Sequence, residues 1–330
     1  MRHFAEIEDL PDLVRDALGA RFRPVAVDRL PGGSKKGVYR VHVDGPRATS
    51  VIMYSWADAE NFWPTANGSD VDATHPFAPA SGLAPFMTAQ RRLSNLGVRV
   101  PGVLLVDDSR QRYPADVAVI EDVAGGSLEA LFESDPARAA TALHELAEAL
   151  DVMHQQHGKR YGRVDVLERG VAASGASCEQ LVADRALVDL ADAAGRDARI
   201  AASASALDDR LQELAGQVAP RTDYGLIHGE LGPDHVLVNA DGHPVLIDIE
   251  GLMFFDIEWE HVFLQIRFGE RYDVLSRPSL DQSRLDLYML AMRLSLVAGP
   301  LRLLDGDFPD REFMQEIAEH NLNEALGLLR

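Results

Sequence analysis

The stretch His228-Gly229-Glu230-Leu231-Gly232-Pro233-Asp234-His235-Val236-Leu237-Val238 leads on to Val245-Leu246-Ile247-Asp248-Ile249-Glu250-Gly251. Short apolar runs bounded by glycine and aspartate read as buried strands. Between them, Asn239-Ala240-Asp241-Gly242 is a reverse-turn signal, so the runs at 236–239 and 245–249 should pair as a hairpin. That hairpin is expected to bring Glu230, His235 and Asp248 to one end of its strands. Carboxylates converging with an imidazole suit a metal-assisted transfer to a hydroxyl. One carboxylate orients the hydroxyl and takes its proton; another holds a divalent metal against phosphate oxygens.

Working outward, the periodicity changes character on either side. Residues 5–20 read as a short amphipathic helix ending near Gly19. Runs at 25–27, 37–43 and 49–54 read as strands, the last two joined by the turn signal Asp44-Gly45-Pro46. A glycine-rich connection, Pro31-Gly32-Gly33-Ser34-Lys35-Lys36-Gly37, precedes the second of them. Residues 56–85 hold Trp56, Phe62, Trp63 and several prolines without a regular period, and a connection that long is functional or mobile. The aromatic residues there either cover a substrate or anchor the loop. A helix follows at 85–96, with Phe86, Ala89, Leu93 and Leu96 on one face, stopped by Gly97 and Pro101. Strands at Val103–Asp107 and Val117–Glu121 complete a β-rich first third. Beyond it, 128–133, 138–154 and 178–216 are helical, and Phe313, Ile317, Leu322, Leu326 and Leu329 mark a last helix. The fold class expected is α+β: a small antiparallel β domain at 1–121 and a larger helical domain at 122–330, interrupted by the β segment at 225–249.

Composition narrows the function. The chain has 330 residues, enough for two lobes and a sizeable core. Its 52 acidic and 32 basic residues give a formal charge of -20, which repels nucleic-acid backbones and suits solubility or a cationic small partner. No apolar run stands out as long enough to span a bilayer, and the N-terminal residues lack the apolar core of a signal peptide. The single cysteine, Cys178, excludes an intrachain disulfide and fits a reducing compartment. A cytoplasmic protein without nucleic-acid or membrane partners is expected.

The 228–250 stretch resembles the catalytic loop and metal-binding turn of the aminoglycoside phosphotransferase and choline kinase-like family, small-molecule kinases of protein kinase-like two-lobe fold. The family's patterns are H-G-D-L-x-x-x-N and, after an apolar strand, I-D-W/F-E. By position, Glu230 stands at the catalytic carboxylate, His235 and Asp248 at the metal ligands, and Glu250 at the second motif's glutamate. Phe255-Asp256-Ile257-Glu258-Trp259-Glu260 loosely echoes a following G-D-P-x-x-D, with Asp256 and Glu260 at its two acids. The loop Gly32-Gly33-Ser34-Lys35-Lys36 resembles the phosphate-covering loop, and Ile120-Glu121-Asp122-Val123 the hinge strand, with Glu121 and Val123 beside the nucleotide base. The resemblance implies ATP or another NTP, Mg²⁺ or Mn²⁺, and a small, often cationic, hydroxyl-bearing substrate such as an aminoglycoside or other antibiotic, an amino sugar or an amino alcohol.

Four positions depart from the pattern. Glu230 is one methylene longer than the expected aspartate. His235 replaces an asparagine, and imidazole suits Mn²⁺ or Zn²⁺ better than Mg²⁺. Either Asp248 holds the metal almost alone, or the preferred metal differs. Tyr54 falls near the third strand's expected lysine, and Ala89 or Gln90 where its helical glutamate belongs. Losing both avoids leaving a lone buried charge. Lys35 or Lys36 is the expected substitute cation. His228 reads as a packing residue and His154 as a helix-end cap. These departures leave a degenerate, nucleotide-binding or regulatory module as the alternative to an active phosphotransferase, with nucleotidyl transfer a third possibility.

Overall fold

The computed structural model describes residues 2–31, 33–45, 50–63 and 72–329. Alternation along Gly37–Asp44 buries Tyr39, Val41 and Val43 and leaves Val38, Arg40 and His42 half-exposed, the period of a strand packed on one face. Five strands, β1 (Arg23–Arg29), β2 (Gly37–Asp44), β3 (Ser50–Ser55), β4 (Val103–Asp107) and β5 (Val117–Glu121), form one antiparallel sheet in the order β1-β2-β3-β5-β4. Helix α1 (Pro11–Leu18) covers the buried face with Leu13 and Val14, which pack with Leu10 against Tyr39, Val41, Val51 and Met53. The single helix expected over 5–20 is split, because Pro11 lacks an N–H and starts a new helix after a 3₁₀ turn at Ile7–Asp9. Helix α2 (Leu83–Asn95) buries Leu83, Phe86, Ala89 and Leu93. Helix α3 (Leu128–Ser134) is capped by Ser127, whose hydroxyl accepts the Ala130 N–H, and α4 (Pro136–His154) follows.

The chain divides into two compact units that interleave in sequence. The first comprises Met1–Trp63, Pro79–Glu145 and Asp234–Gly251; the second comprises Pro64–Ala78, Leu146–Pro233 and Leu252–Arg330. The sequence reading placed one cut between 121 and 122. In the two compact units, residues 122–145 and the 234–251 hairpin go with the first, and Pro64–Ala78 with the second.

After α4 come β6 (His157–Gly158), β7 (Gly162–Arg163), α5 (Val164–Glu168), α6 (Cys178–Ala194), α7 (Ala198–Gln217) and β8 (Tyr224–Ile227). The helix expected over 178–216 is two helices: α6 ends at Gly195, and Asp197 caps the start of α7. The hairpin strands are β9 (Val236–Val238) and β10 (Pro244–Leu246), paired Val236 to Leu246. They are tied to the first unit by Val238 N–H to the Gly126 carbonyl and Leu246 N–H to the Arg99 carbonyl, each 2.9 Å. Back in the second unit, β11 (Met253–Phe255) joins β8 and β7 in a small sheet of order β6-β8-β11-β7. The helices α8 (Ile257–Phe268), α9 (Gln282–Leu304) and α10 (Arg311–Gly327) end the chain.

Helix α9 is, by length and composition, apolar enough to cross a membrane, which the sequence reading did not expect. It is packed as a core helix against α6, α8 and α10. Its buried face also carries Arg284 and Tyr288, polar groups that serve a protein interior. Both hydrogen-bond the buried Asp256 carboxylate, Arg284 Nη1 at 2.7 Å and the Tyr288 hydroxyl at 2.5 Å. Arg284→Ala removes the nearest cation from buried Asp256 and leaves it Arg221 at 3.5 Å and the Tyr288 hydroxyl, so it is expected to cost about 3 kcal/mol in chemical denaturation, and a loss under ~1 kcal/mol would contradict this reading.

Candidate active site

The turn entering β2 is closely constrained. A Cβ on Gly33 would lie 2.5 Å from the Lys36 carbonyl oxygen, and one on Gly37 2.5 Å from the Glu60 carboxyl. Buried Glu60 accepts hydrogen bonds from Arg29 and from the Tyr39 hydroxyl, so it is a fixed support under the turn. From the other side, Phe62 N–H donates to the Ser34 carbonyl at 2.8 Å and Trp63 Nε1 to the Ser34 hydroxyl at 3.0 Å. Phe62 and Trp63 therefore anchor the loop. Lys35 places its ammonium 5.6 Å from the Trp63 ring centre. Gly32 lies outside the described residues.

Lys36 turns inward and is 8% exposed. Its ammonium donates to Asp248 Oδ1 at 2.8 Å and to Glu250 Oε1 at 2.5 Å, and sits 4.7 Å from the centre of the Tyr54 ring. Burial works against the charged form, but the two carboxylates outweigh it and hold the ammonium pKa well above its ordinary value. Burial likewise pushes the Tyr54 hydroxyl up to about 12, so it stays neutral. Tyr54 packs edge-on against Phe86 of α2, with ring centres 5.5 Å apart.

The hairpin does bring His235 and Asp248 to one end: Ile247 N–H donates to the His235 carbonyl at 3.0 Å. Asp248 is left-handed (φ 59°), a conformation that aspartate tolerates better than most residues and that recurs at functional sites. His235 Nε2 stands 3.9 Å from Asp248 Oδ2 and 3.6 Å from Asp234 Oδ2. Among the described residues no group of three or more His, Cys, Asp or Glu is arranged to hold a metal by itself.

Glu230 belongs to the second unit and is exposed, its N–H donating to His228 Nδ1 at 3.4 Å. The loop carrying it is set by buried Glu260. Glu260 Oε1 accepts the N–H groups of His228 (2.6 Å) and Gly229 (3.2 Å), and Oε2 meets His154 Nε2 at 2.5 Å. Burial opposes ionisation of Glu260, yet His154 and these amides outweigh it and lower its pKa below the ordinary glutamate value. His154 is thus the buried partner of Glu260 and more than a helix-end cap. Nothing in the sequence around α4 distinguishes the two roles. At the expected hinge, Glu121 closes β5 with its N–H on the Gly102 carbonyl (2.8 Å) and its carboxylate on the Gly102 N–H (3.1 Å). Asp122 accepts from Arg40 and Ser50, and Val123 is buried.

Solved structures share the fold. The apo structure of a thermostable mutant of aminoglycoside phosphotransferase APH(4)-Ia aligns with a TM-score of 0.62 at 17% identity, covering 96% of this chain and 100% of that one. Spectinomycin phosphotransferase APH(9)-Ia, in complex with ADP and spectinomycin, aligns at 0.65 and 12%, covering 99% of each chain. Choline kinase LicA from Streptococcus pneumoniae aligns at 0.60 and 13%, covering 98% of each. No curated protein matches the chain. The fold is α+β and protein kinase-like, that of small-molecule phosphotransferases. The family described as "Phosphotransferase enzyme family" matches residues 30–293, and the chain belongs to it.

The Glu260 clamp makes a pH-dependent contribution. Its lowered carboxylate pKa adds stability that is present above the unfolded glutamate value, about 4.3, and is lost as pH falls through the folded value. Glu260→Gln should therefore be less stable than the parent by about 1–3 kcal/mol at neutral pH, and the gap should shrink as pH falls below about 4. Denaturant melts across that range check it; a gap independent of pH would refute the assignment.

Proposed function

We propose that the chain transfers the γ-phosphoryl group of ATP, or of another NTP, to a hydroxyl of a small molecule of the antibiotic or aminoglycoside, amino sugar or amino alcohol class. Family membership supports phosphotransfer, and structural neighbours solved with AMP-PNP and hygromycin B, or with ADP and spectinomycin, support a nucleotide and a small acceptor. The observation carrying the reading is the Lys36–Asp248–Glu250 cluster. It joins a cation of the glycine-rich loop to the turn expected to bind metal, 212 residues away in sequence for Asp248.

In this reading Gly32, Gly33, Ser34, Lys35 and Lys36 bind the phosphates, and Glu121 and Val123 lie beside the base. Asp248 and His235 fit a divalent ion as a carboxylate–imidazole donor pair, a set that admits Mn²⁺ readily and Mg²⁺ with help from phosphate and water oxygens. Such an ion supplies charge neutralisation on the phosphates. Glu230 accepts the proton of the acceptor hydroxyl as its oxygen bonds to the γ-phosphorus. The bond to the β-phosphate oxygen breaks, and ADP leaves. Solvent exposure of Glu230 suits a base that must meet an incoming substrate. The acidic chain suits a cationic acceptor, and the lone buried Cys178 suits a cytoplasmic setting.

Thermal melts with ATP and Mg²⁺ or Mn²⁺ test the nucleotide half of the reading. Saturation at a hundred times Kd stabilises a native state by about 2.7 kcal/mol. A panel of hydroxylated amines and antibiotics, with product mass measured, tests the transfer. A gain of one phosphoryl group, abolished in Asp248→Ala, is expected. Stabilisation by ATP without any product would instead favour the regulatory module, and no stabilisation by any NTP would overturn both readings.

A further inference from the structure

Two groups that the family resemblance places on β3 and on α2 are missing from those elements. Tyr54 occupies the strand position, and α2 offers Ala89, buried and apolar, or Gln90, uncharged. The pair has nonetheless not vanished from this part of the molecule. Val38 pairs with Tyr54, and Gly37 with Ser55, across the β2–β3 ladder. A side chain leaving residue 36, just before Gly37, can therefore lie over the ring of residue 54, and the Lys36 ammonium does so at 4.7 Å. It approaches that ring from the turn that enters β2. A carboxylate meets it there. The 3₁₀ turn Ile249–Gly251 packs against α2, and from it Glu250 meets Lys36 at 2.5 Å.

We propose that Lys36 and Glu250 are a relocated phosphate-binding ion pair. Lys36 is the cation that contacts the nucleotide phosphates, Glu250 is the positioning residue that holds it, and Tyr54 is the platform beneath it. The proposal rests on the nucleotide-binding reading above and narrows it from two loop lysines to one. It also assigns work to two residues that have none there.

Three further observations agree. The Glu250 carboxylate is buried, and among the described residues its second oxygen, Oε2, has no hydrogen-bond partner, so within them Lys36 is the one group that its carboxylate hydrogen-bonds. A buried carboxylate with a single cationic partner is tolerable only where that partner is reliably in place. Reliability comes from the turn: Gly33 and Gly37 admit no Cβ, and Glu60 backs the turn from below. Lys36 also shares Asp248 with the candidate metal site, so one ammonium spans both carboxylates of the 248–250 turn. Within this trio one ammonium faces two carboxylates.

Nucleotide affinity of the full chain, measured by calorimetry with ATP and with adenosine, tests the pair. If the parent binds neither ligand, the nucleotide-binding reading fails and the pair with it. If the parent binds ATP, Lys36→Met should weaken ATP about 10- to 100-fold, the worth of a charged hydrogen bond, while adenosine binding is unchanged. Lys36→Met isolates Glu250 and is at risk of misfolding, so the neutralised double variant Lys36→Met/Glu250→Gln is measured beside it and should show the same selective loss. Adding Tyr54→Lys to Lys36→Met returns a cation to the strand and should restore most of the ATP affinity. Glu250→Asp should retain more affinity than Glu250→Gln. Removal of the exposed Lys159, as Lys159→Ala, should change nothing. A folded double variant that binds ATP as tightly as the parent overturns the proposal while leaving the nucleotide-binding reading intact. An equal loss of adenosine affinity would also overturn it, by showing a merely structural role.

Discussion

One buried ammonium decides how this active-site region is built. Lys36 is nearly inaccessible, yet it stays charged because two carboxylates face it at hydrogen-bond distance. A lone ion in such a place would be neutralised or expelled, and a single pair would barely repay its desolvation. With two carboxylates the ammonium is held firmly, and everything around it serves that geometry. The glycines of the entering turn let the backbone close. Tyr54 supplies an aromatic face instead of a competing cation, and the hairpin carries the carboxylate of the left-handed, solvent-exposed Asp248 to it.

The same device recurs with carboxylates as scaffold. Glu60 lies beneath the glycine-rich turn and takes hydrogen bonds from Arg29 and Tyr39. Glu260 lies beneath the 228–230 loop and takes two backbone amides and His154. Glu260 fixes loop backbone directly, whereas Glu60 is held by strand side chains and packs under Gly37. Loops carrying functional side chains have few ladder hydrogen bonds of their own, so their accuracy must come from such supports. Neither acid need touch a reactant for its loss to be felt there.

The elements were largely legible because their signals are local. Alternation at 37–43, the turn signal at 239–242 and the breaks at Gly19 and Gly97 depend on neighbours in sequence, and the strands and helices fall where those patterns put them. The errors arise where one residue outranks a period: Pro11 splits the first helix, and Gly195 with Asp197 divides α6 from α7. Strands of two residues, β6 and β7, are too short to have a period at all. The site was legible in part. Glu230, His235 and Asp248 were expected at one end of the hairpin; His235 comes within 3.9 Å of Asp248, because a hairpin is a local object, while Glu230 belongs to the other unit. Choosing Lys36 over Lys35 required knowing which of two adjacent side chains faces inward. That follows from the ladder register between β2 and β3 and from Trp63 drawing Lys35 the other way. The partnership of His154 with Glu260 spans 106 residues, and no spacing rule reaches that far.

The altered residues are better understood as a set than singly. A lysine on β3 beside Lys36 would place two ammonium groups over the same carboxylates, so gaining the loop cation favours losing the strand cation, and an aromatic ring is a stable replacement. Once the lysine approaches from the loop, a carboxylate on α2 has no partner, and burying it there would be costly. The apolar Ala89 is then the better choice. Glu250, two residues beyond Asp248, then takes up the pairing. This couples two functions kept apart when the cation and its carboxylate sit on β3 and α2. In the relocated arrangement the group that would hold the phosphates and the group that would hold the metal are hydrogen-bonded to each other before either ligand arrives.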